Sequence, residues 1–478
     1  MRASDPFLES RLRKVAEHDG RRPAGPPGTR AVEQQPDRIP GARLAVAVAA
    51  AAWILVTTQL LFFALFQPIW SPIDEFNHFF YVNYLNYTHR PPLIGVQFQA
   101  TLDPAAAPAL SIPPSRGRGV VTQGPLPSTE GIQPPGYYAL MIPVFKTAAH
   151  GTYDQVTRVR LATAALAALL IPLTFILARI VAPQTPWVWG AASVLPALSR
   201  GYSFNLSQVT NDALALLVGA ASALVLLWLL RARLNWVWGA VAGVTAGTAA
   251  VTKVTVYFVP IFLAIAFLWR ARRDWHLASV LSAAATGIGI AAAMAIPWIY
   301  FNWRHYHALV GTTPFPPNLV KFHNLPLLDA LRVMVTGGSI KFWAGEMVPA
   351  APPPWLLAAG EIGLLVCVAG FLLRPAWRDA NRSDQTAMLA WALGGIAFLF
   401  VLVLSTHVAV LAGRYLYPLF APVAVASAIG ADRLGRPGHW LFMASAGLLL
   451  VAMIVGLASA IPWVTQSCTH CAQLPANP

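Results

Sequence analysis

Two carboxylates and a histidine, Asp74, Glu75 and His78, stand within one turn of chain in the stretch "SPIDEFNH". They follow an apolar run from Leu44 to Trp70, where a membrane span would meet water. Ser71 suits an N-cap, Pro72 the first helical position and Asp74 the third, so the stretch matches a capping box. Capping accounts for Asp74 but not for Glu75. On a helix, Glu75 and His78 are i,i+3 and Asp74 and His78 are i,i+4, so the three share one face. A carboxylate pair beside aromatic residues suits general-base work, because one member can be raised in pKa while the other stays ionised. The following residues, "FFYVNYLNY", predict an aromatic helix lying in the interface.

Four further stretches carry chemistry-bearing residues. In "EGIQPPGYY", Glu130 and Gln133 stand beside Pro134 and Pro135, and Tyr137 and Tyr138 open an apolar helix. In "TNDALALL", Asn211 or Asp212 caps the next span. In "VTKVTVYF", Lys253 lies between two apolar runs with no acidic neighbour in sequence. Such a lysine either snorkels to the interface or binds an anion such as phosphate. In "GRYLYP", Arg414 and Tyr415 offer a phosphate clamp and a ring to stack on.

The chain that positions them has 478 residues, 56% hydrophobic and only 11% charged. A soluble domain carries about 25% charged residues, so the class is an all-α polytopic membrane protein. Apolar runs fall at 44–67, 157–180, 205–230, 237–252, 254–269, 277–301, 354–373, 386–405, 412–430 and 440–462, with shorter ones at 136–149 and 187–200. The net charge of +14 does not point to nucleic acid, because the arginines cluster in short turns between spans. Arg231 and Arg233, "WRARRD", "LRPAWRDANR" and "ADRLGRPG" make such turns, and the positive-inside rule puts them with residues 1–43 in the cytoplasm. The five chemistry-bearing stretches then share the extracytoplasmic face. Parity lets one of the two short segments cross, for about eleven crossings (ten to twelve).

Residues 1–43 are basic and Pro-rich and are expected to be a disordered cytoplasmic arm. Residues 44–463 form the transmembrane domain, and residues 464–478 an external tail. Two long extracytoplasmic loops, 68–135 and 302–353, exceed what connection alone needs. Cys367 reads as a core filler, and "CTHC" at Cys468–Cys471 as an accidental pair or an external disulfide, without metal-site spacing.

The set "PIDEFNH", "QPPGYY", "ND", "TK" and "GRYLYP" resembles the class C (GT-C) polytopic membrane glycosyltransferases. It is most similar to a bacterial membrane-protein family with PPDExxH, QPPxYY and RYxxP motifs, and to the protein O-mannosyltransferase and aminoarabinose transferase group. Here Ile73 stands in place of the second proline and Gly136 in place of a larger residue. The resemblance implies a polyprenyl-phosphate-linked sugar donor and an envelope glycan, lipid or protein acceptor at the plasma membrane, in contact with membrane lipids. It implies that Asp74 or Glu75 is the general base and that Lys253 and Arg414 neutralise the leaving phosphate. Asp212 would orient the donor or a divalent metal, which the sequence does not require. Tyr137 and Tyr138 would line the groove, and the composition suggests cell-wall glycan in a GC-rich bacterium. A membrane transporter or lipid flippase for an anionic or glycolipid substrate is the alternative, and an inactive envelope component the third reading.

Overall fold

The structure is a computed structural model that describes residues 39–67, 75–93, 130–149, 151–273, 276–309, 342–344, 352–373, 382–406 and 413–471. The interior of the first loop, most of the second loop and the N-terminal arm lie outside these residues, as do Ser71 and Asp74.

Every regular element among the described residues is helical. In chain order the α-helices are α1 (Ala42–Phe66), α2 (Glu75–Thr88), α3 (Gly136–Lys146), α4 (Thr152–Ala168), α5 (Leu170–Val181) and α6 (Pro186–Ala197). Then come α7 (Arg200–Leu206), α8 (Asp212–Arg231), α9 (Trp236–Ala250), α10 (Phe258–Ala271), α11 (Leu277–Tyr306) and α12 (Pro354–Leu373). The last are α13 (Arg382–Thr406), α14 (Phe420–Arg433) and α15 (Arg436–Cys471). Short 3-10 turns cover Glu130–Ile132, Val254–Val256 and Gly413–Leu419.

Among the described residues, 9 helical segments are long and apolar enough to cross a membrane. α4 and α5 count as one of them, Thr152–Val181, interrupted at Leu169. Pro172, near the start of α5, has no N–H to donate back to the preceding turn, which accounts for the interruption. α9, expected over 237–252, has only 15 residues, about 22 Å of rise against a bilayer core of about 30 Å. The short segments α3 and α6 have 11 and 12 residues and also fall short on their own. The run expected at 205–230 is divided, because residues 205 and 206 belong to α7 and the spanning helix begins at Asp212. The tail expected from residue 464 onward begins inside α15, whose last turn carries the C-x-x-C.

The bundle is organised around α8, which is apolar on all sides and buried over most of its length. It packs on α4, α5, α9, α10 and the turn before α14, as expected of a helix apolar all round. That turn approaches closely because residue 219 is glycine: a Cβ there would strike the Pro418 backbone. Cys367 is buried at the contact between α12 and α14, as a core filler should be. α11 is the opposite of α8, packed along α9 and otherwise exposed over its span.

The basic turns gather at one end of this bundle. Arg231, ending α8, pairs with Asp384 at the start of α13. Arg270 donates to Ala232 O at 2.8 Å, and Arg433 donates to Phe371 O at 2.7 Å and to Gln385. Gln385 in turn donates to Val181 O at 3.2 Å. Asp212 opens the same 20-residue α8 that Arg231 closes, which sets the two ends about 30 Å apart.

Candidate functional site

The end of the bundle that carries Asp212 collects the motif residues into one buried polar network. It begins at Arg160, four residues into the apolar run expected at 157–180. Its Nε donates to Glu75 Oε1 at 2.6 Å and its Nη2 to Glu75 Oε2 at 2.5 Å. Its Nη1 donates to Gln67 O at 2.6 Å. Glu75 Oε1 also accepts the Val209 N–H at 3.2 Å. One guanidinium therefore ties the last turn of α1 to the first residue of α2, on either side of residues 68–74. The pair is dry, with side-chain exposures of 2% and 0%, so both carboxylate oxygens are neutralised by charge-assisted bonds. Asp74, the other candidate base, lies outside the described residues, next in chain to this clamp.

α2 was expected to lie along the membrane interface. Much of it is buried instead, against α3. Tyr81 stacks on Tyr138 with ring centroids 3.7 Å apart, and its hydroxyl donates to Gln133 O at 3.0 Å. His78 Nδ1 and the Tyr138 hydroxyl are 2.8 Å apart, and Glu130 lies 3.8 Å from the same nitrogen. Burial first, and the nearby Glu130 carboxylate second, push the Tyr138 hydroxyl well above its ordinary pKa, so it meets His78 as a protonated phenol. Tyr137 is likewise raised by burial; its hydroxyl is 2.6 Å from Thr163 Oγ1 and accepts the Thr210 N–H at 3.1 Å.

Gly136 makes the next junction. Its N–H donates to Val251 O at 2.7 Å, and a Cβ at this position would sit 2.5 Å from that oxygen. The glycine therefore lets the start of α3 close onto the end of α9, two residues before Lys253. Lys253, which has no acidic neighbour in sequence, finds one 41 residues earlier: its Nζ donates to Asp212 Oδ1 at 2.6 Å. Asp212 Oδ2 accepts from Thr210 Oγ1 at 3.1 Å and lies 3.7 Å from Arg414 Nε. Lys253 Nζ and the Arg414 guanidinium carbon sit 5.2 and 5.9 Å from the Tyr415 ring centroid, within cation–π range. Two cations thus face one carboxylate beside an aromatic wall.

Asn211 occupies the N-cap position of α8, yet its side chain makes no capping bond. Its Nδ2 donates to Gln133 Oε1 at 3.2 Å and to Thr252 O at 3.4 Å, joining "QPPGYY", "ND" and "TK". The structure therefore brings Glu75, His78, Glu130, Gln133, Tyr137, Tyr138, Asp212, Lys253, Arg414 and Tyr415 to one end of the bundle. The described part of the second long loop joins them: Phe342 O accepts from Ser199 Oγ at 2.9 Å, and the Phe342 ring lies 5.3 Å from Tyr417. Sequence reasoning missed Arg160, Thr163, Thr210 and Tyr81. For Arg160 a signal was present, since a charged residue inside an apolar span is by default a functional-site candidate.

A divalent metal at Asp212 does not fit these surroundings. Its oxygens face Lys253, Thr210 and Arg414, and no group of three His, Cys, Asp or Glu residues converges among the described residues. An apolar cavity of about 570 Å³ lies at the basic end instead, bounded by Leu44, Trp187 and Phe442. Its lining suits a lipid tail rather than chemistry.

No model of a known protein family matches the chain, and neither does any curated protein. Among solved structures the chain is similar to ArnT from Cupriavidus metallidurans in the apo state, at 16% identity and a TM-score of 0.45, over 83% of this chain and 60% of that one. It is also similar to the Archaeoglobus fulgidus oligosaccharyltransferase in complex with Zn and sulfate, at 14% identity and a TM-score of 0.44, over 87% of this chain and 53% of that one. The apo form of that enzyme gives 14% identity and a TM-score of 0.42, over 88% and 56%. The chain thus spans between half and two thirds of the length of these proteins.

Proposed function

We propose that the protein is a membrane glycosyltransferase of the GT-C class. In this reading it moves a sugar from a polyprenyl-phosphate donor to a hydroxyl of an envelope glycan, lipid or protein on the extracytoplasmic face of the plasma membrane. The observation that carries the reading is the pairing of Lys253 and Arg414 around Asp212 beside Tyr415, in a network that also holds the clamp next to Asp74.

The chemistry follows from charge. Asp74 takes the proton of the acceptor hydroxyl, whose oxygen attacks the anomeric carbon. The bond from that carbon to the phosphate oxygen breaks, and the electron pair leaves with the phosphate. Negative charge grows on the phosphate, where Lys253 and Arg414 stabilise it. Asp212 holds the two cations in place and offsets their mutual repulsion until the lipid phosphate arrives. Glu75 is a positioning residue: with both oxygens engaged by Arg160, it ties the first residue of α2 to the end of α1.

The test uses full-length protein in nanodiscs and a set of undecaprenyl-phosphate sugars, with product glycoside as the readout. Asp74→Asn is expected to lower transfer by about 10²–10⁴-fold with an unchanged thermal midpoint. Full transfer by this variant would remove Asp74 from the mechanism. Movement of the lipid across the bilayer without any glycosidic product would favour the transporter reading instead.

A further inference from the structure

α1, α6 and α15 all start at the basic end of the bundle, where their first turns border the cavity of about 570 Å³. Gln59 ties the three helices together farther along. Its Nε2 donates to Ala197 O on α6 at 3.1 Å and to Met453 Sδ on α15 at 3.1 Å, and its Oε1 accepts from Ser203 Oγ at 3.0 Å. Beyond Gln59, Phe63 of α1 and Ala460 of α15 share one buried cluster with Phe204. Toward the basic end, α1 and α15 part. α1 stays on α6, where Gly190 lies against Ala45 and Val48. The cavity separates Leu44 and Val48 from Phe442 and Ala446. The gap is therefore a wedge, floored by α6, closed at Gln59 and at most about 20 Å deep along α1.

Walls and mouth differ in chemistry. Apart from Gln184 and Thr185, in the turn before α6, the lining is apolar or aromatic. Water does not fill such a space, and left empty it costs the lining its dispersion contacts on one side. Leu44 and Met443, on its two edges, are exposed, so the wedge opens sideways to the surroundings of the spans. The mouth is positive. Arg43 stands in the first turn of α1 and Arg436 opens α15, and both are exposed. None of the three helices has an acidic residue in its first turn, and neither α1 nor α6 has a side-chain cap, so their positive ends are not offset locally. Asp432 lies nearby, but it is 3.2 Å from His439 Nε2, and the His439 ring is 4.6 Å from that of Trp187 at the cavity wall.

We propose that this wedge is a binding site for an anionic glycerophospholipid of the surrounding bilayer, with one acyl chain between α1 and α15 and the phosphate at Arg43 and Arg436. An acyl chain restores the contacts that the apolar walls lack, and basic residues at the membrane surface attract anionic headgroups. The polyprenyl donor is a poorer match. Its phosphate belongs with Lys253 and Arg414 at the Asp212 end of α8, about 30 Å from the Arg231 end.

The experiment places full-length protein in phosphatidylcholine nanodiscs containing a trace of phosphatidylglycerol with a photoreactive diazirine in one acyl chain. Mass spectrometry then maps the labelled residues. Leu44, Val48, Phe442, Met443 and Ala446 are expected to be labelled about tenfold or more above the exposed face of α11, which supplies the baseline for unspecific lipid contact. The same chain on a phosphatidylcholine headgroup should label them about tenfold less. Arg43→Gln combined with Arg436→Gln should bring the phosphatidylglycerol signal down to that level. Ala446→Phe, which fills the wedge from α15, should remove the excess labelling while the thermal midpoint in detergent holds or rises. If that variant fails to fold, the arginine pair, exposed at the surface, still decides the matter. Labelling of the wedge no stronger than that of α11, or no difference between the two headgroups, overturns the site. Displacement of the probe by an equal amount of undecaprenyl phosphate assigns the wedge to the donor tail and overturns it too. A dimer that Ala446→Phe dissociates assigns the wedge to a second copy of the chain, with the same consequence.

Discussion

Each end of the bundle carries an arginine–carboxylate pair, and the two pairs differ in nearly everything but their chemistry. Arg160 and Glu75 are 2% and 0% exposed in their side chains, bonded in two places, with the guanidinium spending a further donor on Gln67 O. Arg231 and Asp384 are 44% and 7% exposed, and the arginine also reaches Ile180 O at 3.3 Å. A buried pair is held by the heavy cost of leaving either charge alone, so it acts as an all-or-none clamp. A half-exposed pair can trade its partner for water, headgroups or salt ions and contributes little to stability. The first suits a site whose geometry must not drift. The second suits a basic rim that needs only its charge.

The strongest way to break this contrast is to remove one partner at the buried end. Arg160→Met is expected to destabilise the protein by about 3–5 kcal/mol, read as a large fall in thermal midpoint in detergent, and to abolish transfer. A fall no larger than that of a rim variant would show that the clamp is not dry. Lys253→Met comes next. It strands Asp212 beside Arg414 alone, and transfer is expected to fall about 10²–10³-fold, the range of losing one preorganised charge-stabilising group. Its affinity for bare undecaprenyl phosphate should fall as well.

The double variant Glu75→Leu with Arg160→Met sharpens the point by separating stability from geometry. Replacing a buried ion pair by apolar side chains is often neutral or stabilising. The midpoint is therefore expected to recover most of the loss seen in Arg160→Met, while transfer stays low because residues 68–74 are no longer held at both ends. Tyr138→Phe is smaller. It removes the His78 contact at 2.8 Å but keeps the Tyr81 stack, so about 0.5–1.5 kcal/mol is expected. Arg231→Gln is the smallest, at most about 1 kcal/mol after solvent screening, with transfer unchanged. A loss in Arg231→Gln that matches the one in Arg160→Met would erase the distinction between the two ends.

Much of this molecule could be read before any fold was known. Hydrophobic runs marked most spans, because a segment that must satisfy its backbone inside a bilayer has to be a long apolar helix. Arginine-rich turns placed "DEFNH", "QPPGYY", "ND", "TK" and "GRYLYP" on the opposite side, and the structure gathers the described residues of these stretches at the end away from Arg231, Arg270 and Arg433. Those inferences need only composition and order along the chain.

Partnership was a different matter. Nothing local to Lys253 announces Asp212, and nothing local to Glu75 announces Arg160, which lies 85 residues away. Hydropathy also took residue 205 into the spanning helix and stretched α9 to residue 252, because Asn205, Thr252 and Lys253 are too few among apolar neighbours to mark a boundary. Residue types thus established which chemistry was on offer and on which side of the bundle. Only the packing of α8 against α4, α9 and the turn at Gly413–Leu419 decided which charges meet, since that depends on distances of a few ångströms between remote segments.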